Sequence, residues 1–361
     1  MKIWIGYVSC GFGHKKAAEA VYQAFDKQPK PYLFNLLNFM PISLKLIYEK
    51  GYALVVKYCP ALWAYLYRFS HNSFLLAGGR FFNFLAAGRF VRYLKKENPD
   101  VIISTHFIVS EISGFLKHKG LIKSRIITVI TDYTANPVWI SKGVDFYITA
   151  CEEVKDILCG RFGIEKEKVF SWGIPLRGDF YRKDFSDMKK KYGIPEGVFT
   201  LLLFSGRFGI GPFKTIVDKF SGKFAILAVY GKNSAVGRYL KNVRGPLFLR
   251  SFKFKEDVHE LMRSADLTVT KAGGLSVSEC IALKKPMVFM KVIPGQEDAN
   301  ADFVVRNGLG FRPKNLKGLL GIIDKISGNP EMLEHTRDNF ANISFENSAV
   351  RIKKLALSEG R

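Results

Sequence analysis

The fold is decided by one stretch of the chain, Thr270-Lys271-Ala272-Gly273-Gly274-Leu275-Ser276-Val277-Ser278-Glu279-Cys280-Ile281-Ala282-Leu283. The residues before it, 265–270, are partly β-branched and predict a short strand. Two glycines follow, and then apolar residues at helical spacing, with Ser276 as a candidate helix cap. A strand, a glycine turn and a helix N-terminus bring unpaired backbone N–H groups together where the helix dipole is positive. The stretch therefore predicts a phosphate site at Gly273 and Gly274.

An acidic side chain follows these glycines at a position that suits the rest of a nucleotide. Glu279 lies on the first turn and a half of the predicted helix, within reach of ribose hydroxyls when a pyrophosphate sits at the glycines. Phosphate together with ribose indicates a nucleotide ligand. An ordinary strand–helix turn with a surface glutamate would show the same local pattern, so the choice depends on the rest of the chain.

Composition indicates a globular and strongly basic protein. At 361 residues the chain is long enough for two domains, and its 48% hydrophobic and 14% aromatic residues argue against disorder. The net charge of +23 requires an anionic partner, which could be nucleic acid, an anionic membrane surface or phosphorylated ligands. Five cysteines without a C-x-x-C pair favour a reducing compartment over a disulfide framework or a zinc site. We therefore expect a cytoplasmic protein.

A second glycine loop lies near the start of the chain. Residues 1–8 are too short for the core of a signal peptide and predict a first strand, so no cleavage is expected. Ser9-Cys10-Gly11-Phe12-Gly13-His14 follows, and residues 15–25 predict a helix. The loop lacks the third glycine of a dinucleotide fingerprint, which disfavours a Rossmann dehydrogenase. His14 stands at the helix entrance, where the dipole disfavours imidazolium, so it is a candidate general base or, alternatively, an exposed loop histidine.

The segment from residue 31 to residue 96 is dense in aromatic and basic side chains, including residues 32–40. No uncharged run reaches the roughly 18 to 20 apolar residues of a transmembrane helix, so the pattern predicts amphipathic helices lying in an anionic headgroup layer. Alternatively, these aromatics form the core of helices flanking a sheet. The candidate acceptor and membrane contacts, from this segment and its surroundings, are Phe12, Trp63, Tyr65, Arg68, Phe81, Phe82 and Trp139.

Several apolar runs end in polar residues, as buried parallel strands do. Residues 100–106 and 125–132 end in His106 and Asp132, so these side chains should reach the same sheet edge as His14. Further β and α segments alternate after them. The pattern predicts an α/β domain with a doubly wound sheet.

The same pattern returns later in the chain. We expect an N-terminal domain in residues 1–180, a charged linker broken by glycine and proline in residues 181–198, and a second α/β domain in residues 199–361, whose last helix could pack back on the first domain. A third glycine loop, with Gly206 and Gly209, follows the first strand of the second domain. Two such domains with glycine loops would face each other across a cleft.

The motifs together resemble one family. Residues 270–279, followed by Pro294-Gly295-Gln296-Glu297, resemble the donor site of the monogalactosyldiacylglycerol synthase and processive diacylglycerol glycosyltransferase family. Residues 9–18 resemble its N-terminal glycine–histidine loop. Its middle motifs occur in the right order, so that the resemblance covers nearly the whole chain: Thr131-Asp132-Tyr133, Pro137-Val138-Trp139, Gly143-Val144-Asp145 and Gly173-Ile174-Pro175.

This resemblance implies a GT-B glycosyltransferase, in which two Rossmann-like, doubly wound parallel-sheet domains face a central cleft. The N-terminal domain would hold a lipid acceptor and the C-terminal domain a UDP-sugar. By motif position, Gly273 and Gly274 would meet the diphosphate, Glu279 the ribose, and Gln296 with Glu297 the sugar hydroxyls. The implied donor set is completed by Gly206, Gly209, Phe252, Leu275 and Ser276.

The resemblance also implies the chemistry, which is an inverting transfer of glucose or galactose to 1,2-diacylglycerol or a glycosyl-diacylglycerol. His14 would be the base or proton relay, Asp132 its orienter or the alternative base, and His106 a less favoured candidate. Because no D-x-D pair occurs, no metal and no other cofactor is expected beside the UDP-glucose or UDP-galactose donor. We expect a hexosyltransferase that is peripheral on the inner face of the cell membrane and binds an anionic surface, but no nucleic acid.

Some positions depart from the family pattern. Phe12 replaces a glycine before His14, which would narrow the mouth of an acceptor site. Asn136 stands where the family usually has histidine, and Ser251 replaces a glycine before Phe252. A titrating role for position 136 is thereby lost.

Two other functions fit parts of the sequence. The glycine–histidine loop alone would also suit a GT-B transferase acting on another lipid, such as a polyprenyl-diphosphate intermediate of wall synthesis. A basic nucleic-acid-binding module would use the lysines and arginines on phosphates and the aromatics on bases. The order of the middle motifs favours the glycerolipid family over the first, and an anionic bilayer explains the basic charge as well as the second does.

Overall fold

A computed structural model describes residues 1–9, 11–26, 29–51, 54–55, 59, 65, 73–182 and 187–358. The chain divides into two compact units. The first comprises Met1–Gly178, Ile293–Gln296 and Glu346–Arg361, and the second comprises Asp179–Val292 and Glu297–Phe345. Each unit is built on its own sheet.

The first unit contains a six-stranded parallel sheet with the order β2-β1-β3-β4-β5-β6. In its register Ile5 lies opposite Leu33 on one side and Ile103 on the other. Such apolar residues are buried on both faces, as parallel strands covered by helices require. The strands are β1 (Ile3–Tyr7), β2 (Tyr32–Asn35), β3 (Val101–Ser104), β4 (Arg125–Val129), β5 (Phe146–Ile148) and β6 (Val169–Phe170).

The second unit contains another six-stranded parallel sheet, with the order β12-β11-β10-β7-β8-β9. Two of its neighbouring strands contain fully apolar, buried runs, Leu201–Leu203 and Ala225–Val229. The strands are β7 (Thr200–Phe204), β8 (Ala225–Val229), β9 (Phe248–Phe252), β10 (Leu267–Lys271), β11 (Met287–Lys291) and β12 (Gly310–Phe311).

Helices follow most of the strands, which gives the alternation that the sequence predicts. The α-helices that the structure describes are α1 (Phe12–Ala24), α2 (Ile42–Leu46), α3 (Ser73–Ala86), α4 (Gly88–Glu97), α5 (Phe107–His118), α6 (Glu152–Asp156), α7 (Met188–Lys191), α8 (Phe213–Phe220), α9 (Ser234–Lys241), α10 (Val258–Ser264), α11 (Gly274–Ala282), α12 (Gln296–Arg306), α13 (Leu316–Ser327), α14 (Pro330–Asp338) and α15 (Ser348–Leu357). The prediction of doubly wound parallel sheets is confirmed.

Apolar stripes at helical spacing hold the helices on the sheets. In α8, Phe213, Ile216, Val217 and Phe220 are buried against Leu201 and other sheet residues. Burying each such side chain contributes roughly 1.5–3 kcal/mol. In the first unit, the last helix α15 packs in the same way, with Ile352 in the cluster around β1 and β3.

One prediction for the aromatic segment is wrong. Residues 32–40 do not form a membrane-lying helix, because Tyr32–Asn35 is strand β2, paired with β1, and Leu36–Phe39 is a turn of 3₁₀ helix. Phe34, Leu36, Leu37 and Met40 are buried in the core. The aromatic residues of this stretch thus serve a sheet, which is the alternative that the composition left open.

Candidate functional site

Both sheets have a topological switch point, where the strand order reverses. In the first sheet it lies between β1 and β3, and in the second between β7 and β10. In open α/β sheets, ligands bind beyond the carboxyl ends of the strands at such points. His14 and His106 follow β1 and β3, while Gly206 and Gly273 follow β7 and β10. These four predicted site residues therefore lie at the switch points of their own sheets.

At the first switch point, His14 is the third residue of α1 and is held through one ring nitrogen. Its Nδ1 lies 2.7 Å from the carbonyl oxygen of Thr105 and 2.9 Å from Oγ1 of Thr131. A carbonyl oxygen can only accept, so Nδ1 carries the proton and donates to Thr105. The lone pair of the neutral ring is thereby left on Nε2, the atom from which a base would act.

The protonation state of His14 is set by its surroundings. Burial lowers the pKa of His14 below its ordinary value of 6.5, while the charge of Asp132 and the hydrogen bond to Thr105 oppose that shift. The helix dipole alone suggested neutrality from the sequence, and burial adds a larger cause. His14 is thus a neutral imidazole near pH 7, with Asp132 as the nearby carboxylate that favours its charged form.

His106 lies beside His14 but is committed to the fold. It is buried, and its Nδ1 accepts a hydrogen bond from the backbone N–H of Ile108, which caps helix α5. The two imidazole rings meet edge to face at 4.6 Å between centroids. Burial and the neighbouring His14 hold the pKa of His106 well below its usual range. The side chain of His106 therefore serves as the N-cap of α5.

The Pro137–Trp139 turn forms the wall next to His14. Asn136 begins this 3₁₀ turn, and its Oδ1 accepts a hydrogen bond from the N–H of Val138, so the asparagine that replaces the family's histidine acts as a cap. Trp139 is only 4% exposed and lies 6.3 Å from the His14 ring and 6.0 Å from Phe107 between centroids. Trp139 therefore belongs to the interior beside His14 and not to an outer membrane-facing surface.

At the second switch point, the loop after β7 depends on glycine. Gly206 and Gly209 have φ values of +61° and +57°, in the left-handed region that favours glycine. A Cβ on Gly209 would come within 1.9 Å of the carbonyl oxygen of Tyr230, and Asn233 donates a hydrogen bond to the Gly209 carbonyl. The glycine spacing in this loop therefore has a backbone cause.

The loop after β10 opens helix α11, as the deciding stretch predicts. The helix begins at Gly274 with Gly273 as its N-cap, and no side chain caps it, so the suggestion that Ser276 is the cap is wrong. An extended glycine takes the cap position, and Ser276 and Leu275 lie within the first turn. The backbone N–H groups of the first turn have no acceptor within the helix. Glu279 lies one turn further along and is buried.

Lys271 is a further residue of this site, to which the sequence pattern alone assigned no role. The ammonium of Lys271, the last residue of β10, lies 2.8 Å from Oε1 of the buried Glu297. The same side chain borders both glycine loops, since Cβ atoms built on Gly206 and Gly273 would lie 3.4 Å from its Cε and 3.3 Å from its Nζ. The signal available in the sequence was a lysine at the end of the predicted strand, two positions before the first glycine.

Two donor candidates lie on other elements. Phe252 ends β9, where its carbonyl oxygen accepts a hydrogen bond from the N–H of Tyr230. Gln296 begins α12, and its Oε1 is buried without a hydrogen-bond partner in the described part of the chain. A buried polar atom without a partner costs free energy, so this oxygen is suited to accept a hydrogen bond from a hydroxyl group of a ligand.

The candidate membrane contacts fall into three groups. Phe81 and Phe82 on α3 are 66% and 49% exposed, and Tyr65 is 57% exposed. Phe12 is half-buried at the start of α1. Trp63 and Arg68 lie outside the described residues. Across the ranges that the structure describes, no helix is both long enough and apolar enough to cross a bilayer.

The described residues also contain no group of three or more His, Cys, Asp or Glu side chains arranged to hold a metal ion. The independence from metal that the sequence suggested remains a prediction.

Comparison with known families divides the chain as the sheets do. Residues 14–176 match the model of monogalactosyldiacylglycerol (MGDG) synthase, and residues 214–350 match the model of the glycosyltransferase family 28 C-terminal domain. The first match begins at His14 and includes Asp132 and Trp139, and the second includes Lys271, Glu279 and Glu297.

Relatives of known function share about a third of the matched residues. A processive diacylglycerol beta-glucosyltransferase of Bacillus cereus (strain 03BB102) is 33% identical over 221 residues, which is 60% of this chain and 56% of that protein. The protein of the same name from Bacillus thuringiensis (strain Al Hakam) is 32% identical over a region of the same extent. The matched region thus spans little more than half the length of these relatives.

Solved structures with a similar fold include GT-B glycosyltransferases and also the UDP-GlcNAc 2-epimerase of Neisseria meningitidis, which superposes with a TM-score of 0.56 at 12% identity over 99% of both chains. Acinetobacter baumannii MurG superposes with a TM-score of 0.62 at 13% identity, over 99% of both chains. The calicheamicin glycosyltransferase CalG4 superposes with a TM-score of 0.60 at 12% identity, over 99% of this chain and 98% of that one. At such identities the likeness concerns the fold alone. The likeness confirms the GT-B fold, and the family matches confirm the resemblance carried by the motifs: residues 14–176 are similar to MGDG synthase and residues 214–350 to the glycosyltransferase family 28 C-terminal domain.

Proposed function

We propose that this protein is an inverting hexosyltransferase that moves glucose or galactose from a UDP-sugar to the hydroxyl of a diacylglycerol, or of a glycosyl-diacylglycerol, at an anionic membrane surface. The observation that carries the proposal is a neutral histidine at the switch point of a domain that matches MGDG synthase. The name of the Bacillus cereus relative supports the choice of acceptor.

His14 is proposed as the base. Its Nε2 would take the proton of the acceptor hydroxyl, and the freed oxygen would attack the anomeric carbon from the face opposite the diphosphate. The hydrogen bond from Nδ1 to Thr105 fixes the tautomer that this step needs, and Asp132 stabilises the imidazolium that results. Orientation of the base and its charge stabilisation thus come from different residues.

The glycine loops and Lys271 are proposed to receive the leaving group. When the bond between sugar and diphosphate breaks, the electron pair goes to the diphosphate oxygen. The first-turn N–H groups of α11 and the ammonium of Lys271 would stabilise that charge, the task that a divalent cation performs in other transferases. Glu297, paired with Lys271, and Gln296 would meet the sugar hydroxyls.

A basic chain with exposed aromatics suits an anionic bilayer. The net charge is +23, and the exposed apolar residues of α3 precede the basic helix α4, which carries Arg89, Arg92 and Lys95. Aromatic residues insert at the headgroup level while cations contact the lipid phosphates. We therefore place this surface of the first unit against the membrane in the proposal.

The test is product formation by the purified protein on phosphatidylglycerol liposomes that contain diacylglycerol, with UDP-glucose and UDP-galactose in parallel and EDTA present. The Glu279→Ala variant serves as a control. A glycosyl-diacylglycerol formed from one donor, and lost in the variant, would establish reaction and sugar together. Bound UDP without product would move the acceptor to another lipid, product that requires added Mg²⁺ would overturn the metal-free step, and absence of UDP binding would overturn the enzyme proposal.

A further inference from the structure

Helix α3 exposes an apolar face. Its exposed side chains are apolar, and its inner face combines Arg80 and Asn83 with Phe84 and Ala86, which pack in the core. A helix on the surface of a water-soluble domain normally exposes polar residues instead. The outward-facing apolar residues are Phe74, Leu75, Phe81, Phe82 and Leu85. The helix is therefore suited to an apolar medium on the outside and a polar contact on the inside.

The inner contact is made by Arg80. Its Nη2 donates hydrogen bonds to the carbonyl oxygens of Pro137 and Ile140, at 3.3 Å and 2.5 Å, so one guanidinium holds both ends of the Pro137–Trp139 turn. Its Nε lies 3.8 Å from Oε2 of Glu111 on α5. The planar guanidinium holds its donors in fixed directions and reaches the turn and Glu111 with different nitrogen atoms, whereas lysine has a single ammonium on a flexible stem.

A buried network fixes the position of Arg80. Glu111 is 6% exposed and accepts a hydrogen bond from Nδ2 of Asn83, whose Oδ1 in turn accepts one from the hydroxyl of Tyr48. Burial raises the pKa of Glu111 to about 7, while Asn83 and Arg80 favour its charged form. Helices α3 and α5 are thereby joined by polar contacts whose loss would leave a buried carboxyl group uncompensated.

The turn that Arg80 holds is the one that carries Trp139. Trp139 lies 6.3 Å from the ring of His14 and 6.0 Å from Phe107 between centroids, and Phe107 stacks on His106 at 4.4 Å. A shift of the turn would therefore reach the ring of His14 through direct packing. The distance from the apolar face of α3 to His14 is covered by contacts that are all within the first unit.

We propose that Arg80 is a positioning residue that couples lipid contact at helix α3 to the Pro137–Trp139 turn beside His14. When the apolar face of α3 inserts into an anionic bilayer, the position of α3 and of its Arg80 side chain would be fixed. Arg80 would then hold the Pro137–Trp139 turn so that Trp139 packs beside the ring of His14. This inference rests on the proposed function, from which it takes the membrane-contacting surface. It adds the set of contacts through which lipid binding at that surface would affect the position of His14.

The test is hydrogen–deuterium exchange of the full chain with and without phosphatidylglycerol vesicles, with no sugar donor present. In the wild type, vesicles should slow exchange in α3 and in residues 137–140 together. In Arg80→Met, α3 should still respond to vesicles, while residues 137–140 should exchange about tenfold faster or more and no longer respond, because charge-assisted hydrogen bonds to the turn are lost.

Two further variants secure the result. Arg89→Met removes the same charge from the exposed face of α4, so it should weaken vesicle binding by electrostatics but leave the exchange of the turn without vesicles as in the wild type. Arg80→Lys keeps the charge and loses the fork; it should reproduce the faster exchange of the turn, and it decides the question if Arg80→Met does not fold.

The outcomes separate this inference from the proposed function. If residues 137–140 exchange in Arg80→Met and Arg80→Lys at the rate seen in Arg89→Met, the coupling is overturned while the transferase proposal stands. If vesicles slow exchange in α3 but not in the turn of the wild type, the coupling is overturned as well. With the liposome assay, Arg80→Met should lower kcat about ten- to a hundredfold with the KM for UDP-sugar unchanged, since misplacement acts on the base and not on donor binding.

Discussion

The two switch points use the same backbone pattern for different chemistry. In the first, β1 leads through Gly11 into α1, whose third residue, His14, is tied to Thr105 and Thr131. In the second, β10 leads through Gly273 into α11, whose start is uncapped by side chains and bordered by Lys271. One turn presents a neutral imidazole, and the other presents backbone N–H donors and an ammonium.

The contrast separates the sequence features that determine where a site lies from those that determine its chemistry. A glycine-rich turn between a strand and a helix specifies a place, because parallel strands end at one edge and helix starts meet there. The side chains next to the glycines specify the chemistry. A buried imidazole stays neutral, whereas an ammonium paired with a carboxylate stays charged and attracts an anion.

The largest effect that would break the comparison is expected at His14. His14→Asn keeps a side-chain donor for the Thr105 carbonyl but has no basic nitrogen, so turnover should fall about 10²- to 10⁴-fold. The measurement is the initial rate of sugar transfer to liposomes. His118→Asn, at the exposed end of α5, is the matched control and should keep the wild-type rate. Turnover within a fewfold of the wild type in His14→Asn would remove histidine from the role of base.

The second test removes the cation from the other turn. Lys271→Met should lower the affinity for UDP about ten- to a hundredfold, because a charge-assisted contact to the diphosphate is lost. Calorimetric titrations with UDP and with uridine separate the causes, since uridine affinity should not change. Lys317→Met, exposed on α13, is the control. An equal loss for uridine would show that Lys271 supports the loop and does not contact phosphate.

The third test compares how far the backbone needs glycine in the loop after β7, at the second switch point, and in the turn after β1, at the first. Gly209→Ala should lower the free energy of unfolding by about 2 kcal/mol or more, since its φ is +57° and a Cβ would come within 1.9 Å of the Tyr230 carbonyl. Gly11→Ala in the first turn should be nearly neutral, because its backbone is extended and no atom lies within 4 Å of the added Cβ. Denaturant unfolding of both variants is the measurement, and similar losses would contradict the contrast.

The smallest effect concerns acid sensitivity. His14 and His106 have pKa values below 6.5 in the folded protein, so below pH 6.5 the unfolded chain binds more protons and the free energy of unfolding decreases as the pH falls. Each histidine contributes at most about 1.4 kcal/mol per pH unit. His14→Asn/His106→Asn, in which asparagine can still cap α5, should lose less stability between about pH 7 and pH 5 than the wild type. Parallel stability curves would contradict the pKa directions.

Much of this arrangement could be predicted from the sequence, and the misses have physical causes. The glycine turns, His14 and the central strands were identified because they depend on local pattern and on the polarity of strand ends. Strands β2 and β12 were missed, the first because the aromatic residues of Tyr32–Asn35 resemble an amphipathic segment and the second because Gly310–Phe311 is only two residues long.

The contacts of Lys271 with Glu297 and of Arg80 with Glu111 could not be found in this way. Their partners lie 26 and 31 positions away along the chain, on other elements. Which lysine or arginine of a chain with 55 such residues finds a buried carboxylate depends on the packed fold. Local pattern therefore predicts where the sites lie, whereas tertiary packing decides which charges stand there.

The most direct test of the central claim, that one turn performs proton chemistry while the other binds the donor, is a paired measurement of UDP affinity and turnover in His14→Asn and Lys271→Met. We predict that His14→Asn binds UDP within about twofold of the wild type and loses turnover at least a hundredfold, whereas Lys271→Met loses UDP affinity. If His14→Asn lost UDP affinity as Lys271→Met does, or if it retained turnover, the division of labour between the two turns would be contradicted.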